Sequence, residues 1–218
     1  HNADAKGENA DGFANKLHSG TGNYYENCIA EYNSDDGWDC YAAHGAVTLV
    51  NCQANYNGLC DGIYGDGNGF KIKELNLSNS DSGLFWYIGS TGYIYDLTVE
   101  NANVLFSDNA AVVAHMNYGK IEKCGVVNTN ITADTGAVLG AMVSRNYGIV
   151  RDSYVQGGSL VSNSTTATGH AGFAGSNESG GLIERCWTSM DINTASDYSG
   201  GFVGLGYGGT IRDCFALG

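Results

Sequence analysis

The sequence predicts an all-β chain folded as a parallel β-solenoid, with coils of 22 to 33 residues. Short motifs recur at a fixed interval: Asn-Cys-x-Ala begins at Asn27 and again at Asn51, and Asn9, Asn33 and Asn57 are each 24 residues apart. A regular period of this size is typical of solenoids, in which each repeat forms one coil. The 33 glycines and the absence of proline suit many tight turns, and no helical periodicity of useful length interrupts the repeats.

Acidic residues gather in the first third of the chain. Asp11 precedes Asp35 by 24 residues, so we expect their carboxylates on neighbouring coils, roughly 4.8 Å apart. Asp36 and Asp39 follow on the same turn as Asp35. Four carboxylates in this space repel one another unless a cation neutralises them, and oxygen-only ligands suit Ca²⁺, which takes about 6 to 8 oxygens. The alternative is that these residues only form turns.

A Gly-aromatic-x triplet follows the same coils and begins at Gly12, Gly37 and Gly69. The second interval is 32 residues rather than 25, which indicates a loop of seven extra residues before Gly69. With this loop set aside, Lys71 is predicted to lie above Asp39, beside the calcium site.

A second repeat occupies the rest of the chain. An aliphatic residue is followed two places later by a charged residue and three places later by a small or apolar one. The six copies begin at Ile72, Ile94, Ile121, Val150, Ile183 and Ile211. Alternating apolar and polar positions around them predict strands with one buried face. We therefore expect residues 1–71 and 72–218 to form two continuous parts of the solenoid.

The first part resembles the family 9 polysaccharide lyases, which are right-handed parallel β-helix enzymes that cleave pectate. The resemblance covers about residues 5 to 71. It lies in Asp-Gly-Phe-Ala from Asp11, Asn-Ser-Asp-Asp-Gly-Trp-Asp from Asn33, and Gly-Asp-Gly-Asn-Gly-Phe-Lys from Gly65. After Lys71 the sequence departs from the family, with Ile-Lys-Glu-Leu where glycines are usual.

This resemblance implies a function and a set of site residues. Carried over to the matching positions, the family's calcium ligands are Asp11, Asp35, Asp36 and Asp39, and its catalytic base is Lys71. The implied fold is a right-handed parallel β-helix, and the implied reaction is calcium-dependent β-elimination of polygalacturonate.

Residues 66–218 resemble GLUG repeats, which occur in large bacterial surface proteins such as adhesins and certain peptidases. The six copies of the aliphatic repeat and glycine- and alanine-rich segments such as Gly200–Gly204 carry this resemblance. It implies a structural or adhesive solenoid rather than catalysis. The alternative function is therefore a non-catalytic surface, adhesin or filament module in which copies stack end to end and calcium is structural.

Charge and composition restrict the partners. Ten Lys and Arg against 23 Asp and Glu give a net charge of −13, which disfavours nucleic acid; an acidic polysaccharide needs calcium as a bridge. No apolar run approaches the ~20 residues of a membrane span. Calcium ligands and few lysines favour an extracellular protein, secreted or on the cell surface, and the abrupt start at His1 favours a processed chain. Possible glycosylation sites stand at Asn76, Asn130, Asn163 and Asn177.

The cysteines and histidines suggest no further chemistry. Seven cysteines are an odd number, and Cys28 and Cys52 share a coil position, which favours an inward-facing ladder of small side chains. Cys40 and Cys60 are the one pair that we consider as a disulfide. No spacing supports zinc, and the five histidines fall in different phases of the repeat, which argues against a Ser-His-Asp triad.

Overall fold

The structure is a computed structural model that describes residues 10–16, 22–40, 47–50, 52–55, 57–60, 63–64, 70–73, 76–78, 83–106, 109–133, 138–165 and 169–217. Side chains are described for these residues except at 47–50, 55, 59–60, 63–64, 70–73 and 76–78. Asn9, Asn51 and Gly69, which belong to the predicted repeats, lie outside the described residues.

All regular structure in the described residues is β-strand. The first nine strands are β1 (Phe13–Ala14), β2 (Asn23–Glu26), β3 (Ile29–Glu31), β4 (Trp38–Asp39), β5 (Val47–Val50), β6 (Gln53–Asn55), β7 (Leu59–Cys60), β8 (Ile63–Tyr64) and β9 (Phe70–Lys73). Of these, β7 and β8 pair antiparallel, and every other pairing within this group is parallel.

The remaining strands pair in parallel throughout the described chain. They are β10 (Asn76–Ser78), β11 (Phe85–Ile88), β12 (Tyr93–Tyr95), β13 (Leu97–Glu100), β14 (Asn103–Phe106), β15 (Ala114–Asn117), β16 (Lys120–Glu122), β17 (Gly125–Ala133), β18 (Leu139–Gly140), β19 (Val143–Asn146), β20 (Ile149–Arg151), β21 (Tyr154–Ser162), β22 (His170–Ala171), β23 (Ala174–Asn177), β24 (Leu182–Glu184), β25 (Trp187–Thr188), β26 (Asp191–Thr194), β27 (Ser199–Gly200), β28 (Val203–Gly206), β29 (Thr210–Arg212) and β30 (Phe215–Ala216). The predicted parallel β-solenoid is confirmed. Within the described ranges, no helix is both long and apolar enough to span a membrane.

The first of two compact units comprises His1–Leu75 with Asp96–Thr98. Strands β1, β4 and β9 pair in sequence, and Phe13, Trp38 and Phe70 share one register position. Strand β3 pairs with β6 so that Ile29 aligns with Gln53, an interval of 24 residues. Both the Gly-aromatic-x triplet and the 24-residue repeat therefore correspond to stacked coils, as predicted.

The second unit comprises Asn76–Tyr95 and Val99–Gly218. It stacks five coils, each of which adds one strand to the sheet β11-β15-β19-β23-β28 and one to the sheet β12-β16-β20-β24-β29. The predicted aliphatic repeat forms one column through the second of these sheets. Its members are Ile94, Ile121, Val150, Ile183 and Ile211. The unequal repeat intervals are therefore absorbed by the loops, and the strands stay in register.

The core of the second unit is a stack of aliphatic side chains. Val104, Ile131 and Leu160 align in β14, β17 and β21, and none is more than 3% exposed. Each such side chain contributes about 1.5–3 kcal/mol by leaving water. Because every coil buries its aliphatic residues against the coils above and below, stability depends on stacking.

An asparagine ladder, which the sequence analysis missed, fixes one turn of this unit. Asn117, Asn146 and Asn177 are fully buried at the ends of β15, β19 and β23. The Asn117 amide donates to Asn146 Oδ1 at 2.8 Å, and the Asn146 amide donates to Asn177 Oδ1 at 2.9 Å. The recurring Asn two residues before Gly119 and Gly148 was the available signal.

The potential glycosylation sites differ in accessibility. Asn177 is fully buried in the asparagine ladder, so the folded chain leaves no room for a glycan on this side chain. Asn130 and Asn163 are exposed. Asn76 begins β10, and its side chain lies outside the described part of the chain.

Glycines next to the asparagine ladder are required by close backbone contact. A Cβ added to Gly148 would lie 2.2 Å from the Gly119 carbonyl oxygen, and one added to Gly119 would lie 2.2 Å from that of Gly92. We expect Gly148→Ala to lower the free energy of unfolding by about 1–3 kcal/mol through overpacking. Urea denaturation followed by circular dichroism measures this loss. Gly206→Ala is the control, since no atom lies within 4 Å of a Cβ there; equal stability of the two variants would contradict the close-contact account.

Alternating charges run along the sheet of the aliphatic column. Glu122, Arg151, Glu184 and Arg212 share one register position. The Arg151 guanidinium lies 2.5 Å from Glu122, and that of Arg212 lies 2.5 Å from Glu184. If a strand skipped one coil, Glu122 would lie beside Glu184, or Arg151 beside Arg212, and the like charges would repel each other. This alternation therefore favours the observed register.

A second charge column follows in the adjoining turns, with the opposite phase. Lys123, Asp152, Arg185 and Asp213 come directly after the strands and all have positive φ. Arg185 makes two contacts with Asp152, at 2.6 and 2.9 Å. These hydrogen bonds hold the pKa of Asp152 below its ordinary value. The repeat thus encodes the charge pattern as well as the strand positions.

Six cysteines of the described chain are thiols and form no disulfide: Cys28, Cys40, Cys52, Cys124, Cys186 and Cys214. Cys28 and Cys52 are half-buried, so the ladder predicted for them faces inward only in part. The Cys186 thiol is fully buried, and burial raises its pKa to about 12. The thiol of Cys40 is free, and the side chain of Cys60 lies outside the described residues.

Candidate metal centre

The acidic turn of the first unit is held by backbone pairing and aromatic stacking. Gly12 N donates to the Asp36 carbonyl and Phe13 N to the Gly37 carbonyl, both at 2.9 Å. The rings of Phe13 and Trp38 stack with centroids 4.6 Å apart, and Trp38 is 1% exposed. These contacts fix the position of the turn that carries the carboxylates.

Close packing on this turn explains the glycine of the Asp-Gly-Phe-Ala motif. A Cβ at Gly12 would lie 2.7 Å from Ala30 Cβ and 2.8 Å from both Asn33 Nδ2 and the Gly37 carbonyl oxygen. Asn33 in turn donates to Asn57 Oδ1 at 2.8 Å. The predicted stacking of Asn33 and Asn57, 24 residues apart, is therefore confirmed.

Three carboxylates converge on this turn. Asp11, Asp36 and Asp39 each place one oxygen within 4.8 Å of the others. Asp36 and Asp39 are 1% and 8% exposed, and the Asp36 amide donates to Asp11 Oδ1 at 3.3 Å. Carboxylates that are this close and this poorly hydrated need a positive charge beside them. Their oxygen-only donor set suits a hard cation such as Ca²⁺.

The register corrects one part of the predicted arrangement. Because Phe13 pairs with Trp38, the interval is 25 residues here, and Asp11 stacks on Asp36 rather than on Asp35. The predicted opposition of Asp11 and Asp35 is wrong, since the 24-residue interval holds only for the coils that follow. Asp35 is 7% exposed and stands outside the group of three among the described residues; its role as a ligand stays a prediction.

Lys16 supplies the positive charge in the structure. Its Nζ lies 2.8 Å from Asp11 Oδ2 and 2.7 Å from Asp39 Oδ2. Desolvation by burial lowers the pKa of Lys16, but the hydrogen bonds and charges of the two carboxylates outweigh it, so the pKa lies above its ordinary value. Lys16 was not predicted from the sequence. Its position two residues beyond Ala14, which pairs with Asp39, was the available signal.

A buried amide supports the same turn. Asn15 N donates to the Asp39 carbonyl at 2.7 Å, and the Tyr25 hydroxyl donates to Asn15 Oδ1 at 2.9 Å. Asn15 is 3% exposed, and its Nδ2 has no hydrogen-bond partner within the described part of the chain. Asn15 therefore connects the carboxylate group to the aromatic side of the coil.

The predicted catalytic lysine lies on the next coil. Lys71 pairs with Asp39 and Phe70 with Trp38 in the β4–β9 register. The predicted position of Lys71 above Asp39 is confirmed for the backbone. Its side chain lies outside the described residues, so its role as a base stays a prediction.

The neighbouring thiol lies outside the group of three carboxylates among the described residues. Burial, and then the charges of Asp39 and Asp36, raise the pKa of Cys40 to about 11. The three converging donors are oxygens, a set that suits calcium better than zinc.

The chain is similar to pectate lyases and to a halomucin. Pectate lyase L of Paenibacillus polymyxa (strain SC2) is 52% identical over 81 residues, which cover 33% of this chain and 18% of that protein. Pectate lyase L of Thermoclostridium stercorarium is 47% identical over 148 residues, which cover 62% of this chain and 12% of that protein. Halomucin of Haloquadratum walsbyi (strain DSM 16790 / HBSQ001) is 36% identical over 93 residues, which cover 40% of this chain and 1% of that protein.

The matches cover only part of the chain and a small part of each relative. The chain spans less than a fifth of the pectate lyases that it matches, and no solved structure matches it. The comparisons do not show the GLUG resemblance of residues 66–218, which stays a prediction. Residues 1–82 match the family model for the Pel9A-like, right handed beta helix region. This part of the chain is therefore similar to the Pel9A-like region, and its predicted right-handed β-helix fold is confirmed.

Proposed function

We propose that the first unit is a calcium-dependent, pectate lyase-like module that acts on an acidic polysaccharide outside the cell. The observation that carries this proposal is the convergence of Asp11, Asp36 and Asp39 within 4.8 Å, inside the region similar to the pectate lyases. Asp35 is a further candidate ligand on the same turn.

The residues present fit calcium. Two of the three carboxylates are buried, their donors are all oxygens, and they already hold one cation, the Lys16 ammonium. Calcium bound there would attract the uronate carboxylate and make the adjacent C5 proton more acidic. This attraction is needed because a chain with a charge of −13 otherwise repels a polyuronate.

Lys71 is the residue that we assign to proton transfer. Its backbone position beside Asp39 places it on the coil next to the carboxylates. A neutral Lys71 amine takes the C5 proton, and the C5–H electron pair becomes the C4–C5 double bond. The C4–O glycosidic bond breaks, its electron pair leaves with the oxygen, and this oxygen takes a proton from water. The products are an unsaturated uronide and a new free chain end. Because an unperturbed lysine titrates near pH 10.4, the rate is expected to rise toward alkaline pH.

Absorbance of the unsaturated uronide tests the activity. We expect polygalacturonate, calcium and the protein at alkaline pH to give a steady increase, and excess chelator to abolish it. Methyl-esterified pectin is the matched control, since it lacks the carboxylate that calcium would hold. A flat trace with calcium, or an increase that chelator does not affect, would contradict the proposal.

A second candidate function is a non-catalytic structural solenoid. The second unit favours it, because its five coils stack in register and the three converging carboxylates lie in the first unit. Halomucin, one of the relatives, is a very long protein, since the 93 matched residues make up 1% of it. In a sedimentation velocity experiment, a sedimentation coefficient that rises with protein concentration would favour this candidate, provided that the protein shows no lyase activity.

A further inference from the structure

We infer that Lys16 is a built-in competitor of calcium: its ammonium neutralises the acidic turn in the metal-free protein and weakens calcium binding. The inference rests on the proposed calcium site. Its evidence is that the Lys16 Nζ lies 2.8 Å from Asp11 Oδ2 and 2.7 Å from Asp39 Oδ2, so one cation bridges two of the three converging carboxylates.

Electrostatics explains why the two cations oppose each other. Lys16 adds one positive charge beside the carboxylates that would receive two more, and like charges a few ångströms apart repel each other in a partly buried site. Calcium must either displace the ammonium from Asp11 and Asp39 or bind while repelled by it. Both routes lower the affinity.

Partial exposure of the lysine makes displacement feasible. The Lys16 side chain is 29% exposed, whereas the Asp11 side chain is 3% exposed. A long side chain on the solvent side of a buried carboxylate can turn outward while the carboxylate stays in place. The metal-free protein thereby avoids unpaired buried carboxylates, and calcium affinity is set by a residue that is not itself a ligand.

Calorimetric titration of the chelator-treated protein with CaCl₂ tests the inference. Lys16→Met keeps the aliphatic stem and removes the charge; we expect its calcium Kd to be about tenfold lower than that of the wild type. Lys16→Arg keeps the charge and should retain the wild-type Kd within a few-fold. Lys120→Met is the control for net charge, because Lys120 is exposed in β16 of the second unit.

Thermal melting gives a second readout that does not depend on activity. In chelator, Lys16→Met should melt below the wild type because its carboxylates lack a counter-charge, and calcium should raise its melting temperature by more than that of the wild type. A higher calcium Kd in Lys16→Met than in the wild type would overturn the inference, because it would show that the lysine orients the ligands rather than competing with calcium. An unchanged Kd would also overturn it. Calcium binding to neither protein would instead overturn the proposed site.

Discussion

Lys71→Met is expected to abolish the release of unsaturated uronides while leaving calcium binding intact. The variant removes the amine that we propose takes the C5 proton but none of the carboxylates on the Asp11–Asp39 turn. Loss of a general base lowers turnover by about 10²–10⁴-fold. The calcium-induced rise in melting temperature should remain, because we assign calcium binding to Asp11, Asp36 and Asp39.

Lys73→Met is the matched control for this experiment. Lys73 lies in the same strand, β9, and its replacement removes the same charge. If both variants lose turnover equally, the effect comes from charge or folding rather than from a base. If Lys71→Met retains turnover, Lys71 is not the base, although the calcium site is unaffected by that result.

Asn146→Ala should be among the most destabilising single substitutions in the second unit. Asn146 accepts a hydrogen bond from Asn117 and donates to Asn177, and it is fully buried. Its removal leaves two buried amide groups without their partner, and we expect a loss of roughly 2–4 kcal/mol in the free energy of unfolding. Equilibrium denaturation in urea measures it.

The control for the asparagine ladder is Asn130→Ala. Asn130 is exposed on β17, where it accepts from the Ser159 hydroxyl at 3.1 Å, and a surface substitution of this kind is usually within about 0.5 kcal/mol of neutral. If Asn146→Ala lowers the free energy of unfolding by a similarly small amount, water or neighbouring groups replace the lost hydrogen bonds. The asparagine ladder would then not be needed for stability.

Coil periodicity made the fold predictable from the sequence. In a solenoid, residues one period apart meet, so the spacing from Ile121 to Val150 and from Val150 to Ile183 converts directly into strand register. The same rule placed Lys71 beside Asp39 once the extra loop was subtracted.

Contacts that depend on a local change of register or on side-chain direction were not predictable in this way. The interval of 25 residues between Phe13 and Trp38 moved Asp11 from Asp35 to Asp36. The triplet interval from Gly12 to Gly37 was the available signal, but the sequence also carries the 24-residue period, and only the pairing shows which of the two applies at Asp11. Lys16 was missed because its partners are reached by a long side chain rather than by stacking.

Calcium binding to the acidic turn is the central claim, and titration calorimetry of the wild type beside Asp36→Ala tests it most directly. Asp36 is 1% exposed and is one of the three converging carboxylates. We predict saturable binding of one calcium ion at this turn in the wild type and its loss in Asp36→Ala, with Asp152→Ala, which removes a carboxylate from the second unit, retaining it. Calcium binding that survives in Asp36→Ala, or that is absent from the wild type, would contradict the account.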